Sequence, residues 1–99
     1  MEKLNPGSKR KLKSLAHHLK PVVLIGQKGI TESLIKAVDK ALSDHELIKL
    51  KFIDLKDEKR ELTENIVEST GAFHVNTIGN VIILYRNNPE KPDAERIRL

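Results

Sequence analysis

Leu24-Ile25-Gly26-Gln27-Lys28-Gly29-Ile30-Thr31 is an apolar run that stops at a two-glycine turn and restarts at a threonine able to cap a helix. Upstream, Val22-Val23-Leu24-Ile25 is rich in β-branched residues and shows no alternation, the pattern of a strand buried on both faces. Downstream, Leu34, Ile35, Val38, Ala41 and Leu42 recur at spacings of three and four, so a helix is expected over about 32–44 with Thr31 or the preceding turn as its cap. Strand, glycine turn and helix together open a βαβ unit.

Toward the N-terminus, Asn5-Pro6-Gly7-Ser8 is a turn cluster whose serine can cap a helix over Lys9–Lys20. Leu12, Leu15, Ala16 and Leu19 form its inward stripe, and Pro21 ends it by forcing the preceding residue toward extended geometry. Beyond the second helix, Ile48, Leu50 and Phe52 alternate with Lys49, Lys51 and Ile53, which predicts a strand with one wet face. A third helix is expected over 57–70, with Leu62 and Ile66 inward and Gly71 at the left-handed cap position. Gly79-Asn80 joins two further strands as a hairpin. The order is α-β-α-β-α-β-β, which predicts an α/β two-layer sandwich with a four-stranded mixed sheet packed with helices. One domain is expected, with a core of about 8–86 and a flexible C-terminal tail over 87–99 that carries two prolines and six charges.

The chain has 99 residues, a net charge of +4 and no cysteine. Disulfides and thiolate metal sites are thereby excluded. The charge is polarised. Residues 1–30 carry seven Lys/Arg against one acid, and residues 31–99 carry eleven against thirteen; no carboxylate falls between Lys3 and Thr31. With no apolar stretch of signal or transmembrane type, the expectation is a cytoplasmic protein without a membrane partner. The basic excess points to a polyanion, although a solvated basic face would have the same composition.

Glycines at 26 and 29 let a phosphate backbone approach the amides at a helix start, and Lys28 adds a full charge. At about 100° per residue, Lys9, Lys13 and Lys20 fall along one flank of the first helix, with His17 and Arg10 beyond them. The candidate RNA-binding residues are therefore Lys9, Arg10, Lys13, His17, Lys20, Gly26, Gln27, Lys28 and Gly29. The spacing of a nucleotide-hydrolase loop is absent. His17 and His18 diverge by about 100° on a helix and do not converge on a metal, and no nucleophile motif supports catalysis. No enzyme activity, cofactor or small-molecule substrate is expected. Phe52, Phe73 and Tyr85 are the only aromatics, too few for a stacking platform, so backbone and shape recognition is favoured over base readout. A protein-interaction module whose basic face meets an acidic protein partner is the alternative reading.

Five segments resemble one family: Leu15-Ala16-His17-His18-Leu19-Lys20-Pro21-Val22-Val23, Ile25-Gly26-Gln27-Lys28-Gly29, His45-Glu46-Leu47-Ile48-Lys49, Thr70-Gly71, and Ile78-Gly79-Asn80-Val81-Ile82-Ile83-Leu84-Tyr85-Arg86. In this order and separation they are similar to the CRM domain, the chloroplast RNA splicing and ribosome maturation domain, in its stand-alone prokaryotic form. The resemblance covers about 8–86. It implies a fold like the C-terminal domain of translation initiation factor three, RNA binding through the Gly-x-x-Gly loop at Gly26–Gly29, and association with ribosomal RNA in precursors of the large subunit. The basic helix at Lys9–Lys20 matches the family's, while the tail after Arg86 lies outside the pattern. A monomer is expected.

Overall fold

The computed structural model describes residues 4–99, so Lys3, counted in the basic excess above, lies outside the described residues. The elements follow the expected order: α1 (Pro6–Ala16), β1 (Pro21–Ile25), α2 (Glu32–His45), β2 (Leu47–Phe52), α3 (Lys59–Thr70, preceded by a 3-10 turn over Lys56–Glu58), β3 (Phe73–Ile78) and β4 (Val81–Tyr85). The four strands form one mixed sheet in the order β1-β2-β4-β3, with β1 and β2 parallel and the other pairs antiparallel. Thr31 caps α2, its hydroxyl oxygen accepting from the Leu34 amide at 3.0 Å. Gly71 ends α3 at φ 72, and Gly79 turns the hairpin at φ 58.

Alternation along the strands sorts the core into two clusters. Ile48, Leu50 and Phe52 of β2 and Ile82 and Leu84 of β4 pack with Val38 and Leu42 of α2 and Ile66 of α3. Leu47, Ile83 and Tyr85 point to the other face and meet Leu12 and Ala16 of α1. The sheet and the α2/α3 pair are the two layers expected, and α1 adds a partial third. With eleven residues, roughly 16 Å long at the usual rise, α1 covers only one end of its face.

Several local expectations change. Asn5, not Ser8, caps α1, its Oδ1 accepting from the Ser8 amide at 2.7 Å, because Pro6 is then free to occupy the first helical turn. The helix ends at Ala16 instead of Lys20. Its last turn tightens, with Leu19 N donating to Ala16 O at 2.9 Å, since Pro21 has no N–H to continue the ladder. Leu15 and Leu19 are accordingly exposed. The doubly buried reading of Val22–Ile25 is also corrected. Val23 and Ile25 are buried, but Val22 and Leu24 are 52% and 55% exposed, because β1 is an edge strand and α1 does not reach over it.

The chain after Arg86 lies back against the end of α2. Both carboxylate oxygens of the fully buried Glu46 accept backbone amides, from Asn88 and from Ile97, each at 2.7 Å. Ile97 packs beside the α1 cluster. The Arg86 guanidinium joins Asp39 and Ser43 of α2 to the Thr70 carbonyl at the end of α3.

Candidate nucleic-acid interface

The turn after β1 is closed by the Gly29 amide donating to the Gly26 carbonyl at 3.0 Å. Its two glycines are there for different reasons. Gly29 has φ +63, which favours glycine, and a Cβ there would sit 3.2 Å from Cδ1 of Leu55, so the leucine would also have to give way. Gly26 has no left-handed φ, and a Cβ there would lie 4.0 Å from Cδ1 of Ile53, an ordinary contact. Nothing within the fold requires glycine at 26. Gln27 and Lys28 between them are exposed.

This turn stands at the N-terminus of α2, a 14-residue helix whose positive dipole end faces the loop. Glu32 in the first turn offsets part of that field, although its carboxylate is occupied by Lys36 at 3.2 Å. Beside the loop, a groove of about 470 Å³ runs between the edge of β1 and the first turns of α2. Val22 and Leu24 line one side, Leu34 and Ala37 the other, and Gly26 to Gly29 the end.

Lys9, Arg10 and Lys13 are all exposed on α1. The 100° step puts Lys9 and Lys13 on one flank beside the buried Leu12–Ala16 stripe, and Arg10 further out. His17 is the C-cap, with its ring edge-on to His18 at 5.1 Å between centroids. Lys20 is not on the ridge, contrary to expectation. It lies in the link to β1, where the neighbouring Leu19 carbonyl accepts from Nζ of Lys49 at 3.0 Å. Lys20 and the glycine turn therefore stand at opposite ends of β1, roughly 20 Å apart along the strand. Lys9 is more distant still. Its charge acts on His74 of β3, at the opposite edge of the sheet from β1. The predicted residues form a strip from the far edge of the sheet to the loop, not a single point of grip.

Two cations were not among the predicted site residues. Lys49 and Lys51 project from β2 on the α1 side of the sheet, since Ile48, Leu50 and Phe52 face α2 and α3. Their alternation with those apolar residues was the available signal. Among the described residues no helix is long and apolar enough to cross a membrane.

Comparison with known proteins gives concordant results. A model of the CRS1/YhbY (CRM) domain matches residues 4–86. A Haemophilus influenzae protein named "RNA-binding protein" is 44% identical over 91 residues, which is 91% of this chain and 92% of the relative. "Probable RNA-binding protein YqeI" of Bacillus subtilis is 36% identical over 88 residues, covering 88% and 92%. The solution structure of Staphylococcus aureus protein SAV1595 superposes with a TM-score of 0.76 at 40% identity, covering 91% of this chain and 95% of that one. The family match over residues 4–86, together with relatives of 36–44% identity at near-complete mutual coverage, places this chain in the CRS1/YhbY (CRM) domain family.

Proposed function

We propose that this chain is a non-enzymatic RNA-binding protein that holds a sugar-phosphate backbone with Gly26, Gln27, Lys28 and Gly29, assisted by Lys9, Arg10, Lys13, His17 and Lys20. The observation that carries the reading is Gly26. It is a glycine without a conformational reason, beside an exposed lysine, at the end of a groove and within a carboxylate-free stretch of sequence. A side chain missing there opens backbone amides to a phosphate. The names of the relatives accord with RNA as the ligand. The RNA is ribosomal, within precursors of the large subunit, and the protein acts as a cytoplasmic monomer.

Replacing Lys28 and Arg10 together with alanine should weaken RNA binding and reduce the slope of log K against log salt by about one for each phosphate no longer neutralised. Filter binding at several salt concentrations reads both quantities. An unchanged affinity and slope in a folded double variant would remove the loop and helix from the interface. Crosslinking in cells followed by sequencing tests the ribosomal part by itself: recovered RNA without large-subunit precursor sequence overturns that part and leaves RNA binding standing.

A further inference from the structure

The strand register defines one cross-strand row on the α1 side of the sheet that α1 does not cover. Leu24 pairs with Lys51, Lys51 with Val81, and Val81 with Ile78. The row beneath the helix, Leu47, Tyr85 and Phe73, is buried or partly so. The open row spans three inter-strand gaps, roughly 14 Å. Leu24 is 55% exposed and Ile78 61%. Ile53, 54% exposed, follows β2 and lies against the Cβ position of Gly26, so the row runs without a break into the glycine turn.

This surface is apolar but not neutral. Lys51 rises from its middle, Lys49 stands toward α1, and Lys20 and Lys28 flank it at the two ends of β1. The nearest carboxylate in sequence, Asp54, is turned into its own loop, accepting from the Leu55 amide at 2.7 Å. Aliphatic side chains ringed by ammonium groups suit a ligand that is flat and apolar in its faces and anionic along its edge. Unpaired nucleotides have that character, whereas a duplex hides its base faces and presents phosphate.

We propose that the open row of Leu24, Lys51, Val81 and Ile78, with Ile53, seats unpaired bases of the RNA whose backbone the glycine turn holds. This inference rests on the reading of the turn as a phosphate site. With no aromatic ring and no fixed polar group in the row, the contact is tolerant of sequence and selects single strands over duplexes. Together, the floor and the turn make the protein a reader of unpaired segments.

The test compares a 12-nucleotide oligouridine with a 12-base-pair RNA duplex by fluorescence anisotropy at one salt concentration. The wild-type protein should prefer the single strand, and Leu24→Ser with Ile78→Ser should lose about tenfold of that affinity while duplex binding stays constant. Lys28→Ala should weaken both ligands, since phosphate contacts are common to them. Equal affinity of the double-serine variant and the wild type for oligouridine would overturn the floor, and would leave the apolar row to a protein partner. If neither RNA responds to Lys28→Ala, the phosphate reading itself fails. Because the serine variants could disturb folding, photocrosslinking of 4-thiouridine RNA to the unaltered protein supplies a second measurement. Crosslinks within residues 22–25, 51–53 and 78–81 support the proposal, and crosslinks confined to α1 and the turn overturn it.

Discussion

A Cβ at position 29 would meet a left-handed backbone and the Leu55 side chain, while one at position 26 would meet neither. Gly29→Ala should therefore cost about 1–2 kcal/mol of stability, from the strained φ together with the displaced leucine. Gly26→Ala should unfold at the wild-type urea midpoint while losing affinity for RNA. Urea denaturation and an oligonucleotide titration on both variants separate the roles; equal destabilisation would make Gly26 a conformational residue after all. Glu46 is a second position decided by its surroundings. It is fully buried, sits at φ 62, and its carboxylate satisfies the amides of Asn88 and Ile97. Glu46→Ala would leave both amides unpaired and should lower stability by about 2–4 kcal/mol, read in urea, with Arg96 becoming accessible to trypsin. The sequence marks Glu46 only as a polar residue in a turn, because its two partners come from 42 and 51 residues away.

Among the helices and strands, caps and punctuation explain most of the boundaries. Thr31 holds the first turn of α2 through the Leu34 amide, directly after the glycine turn. Thr31→Ala should cost about 1 kcal/mol in thermal or urea unfolding. It should also weaken RNA binding modestly, since the amides proposed to meet the phosphate lie directly before this turn. A variant that loses stability without any change in affinity would detach the start of α2 from the interface. The hairpin, the second helix and Gly71 were legible in the sequence because turn chemistry is local: Gly79 and Gly71 adopt the positive φ that their positions require. The end of α1 and the faces of β1 were not legible. Leu15, Leu19, Val22 and Leu24 are as apolar as their buried neighbours, and only the reach of α1 leaves them exposed.

Across the molecule, the titration of His74 couples α3 and β3 to pH. Its ring contacts the Thr77 hydroxyl at 2.7 Å, in a cleft where α3 presents Lys59, Arg60, Thr63 and Glu64. Partial removal from water, opposed by a backbone hydrogen bond at Asn76 and aided by the charge of Lys9, lowers its pKa from the ordinary 6.5. The unfolded chain takes up this proton at higher pH than the folded chain does, so between the two pKa values it binds more protons. The contribution of His74 to stability is whole above about pH 6.5 and declines as pH falls through the window below it. Urea midpoints measured from pH 7.5 to pH 5 should show this decline in the wild type and a shallower one in His74→Gln. Matching profiles would place the titration elsewhere.

The order of elements, the four strands, the glycine turn before α2 and the concentration of positive charge in the first thirty residues can all be read from the chain without coordinates. These follow from periodicity, turn stereochemistry and composition, which act over a few neighbouring residues. Packing in three dimensions was needed to put β1 at an edge, to limit α1 to one end of its sheet face, to spread the basic residues into a strip, and to tie distant segments together through Glu46 and Arg86. Exposure and partnership depend on which other element comes to rest against a side chain, and the pattern of its own segment carries no record of that.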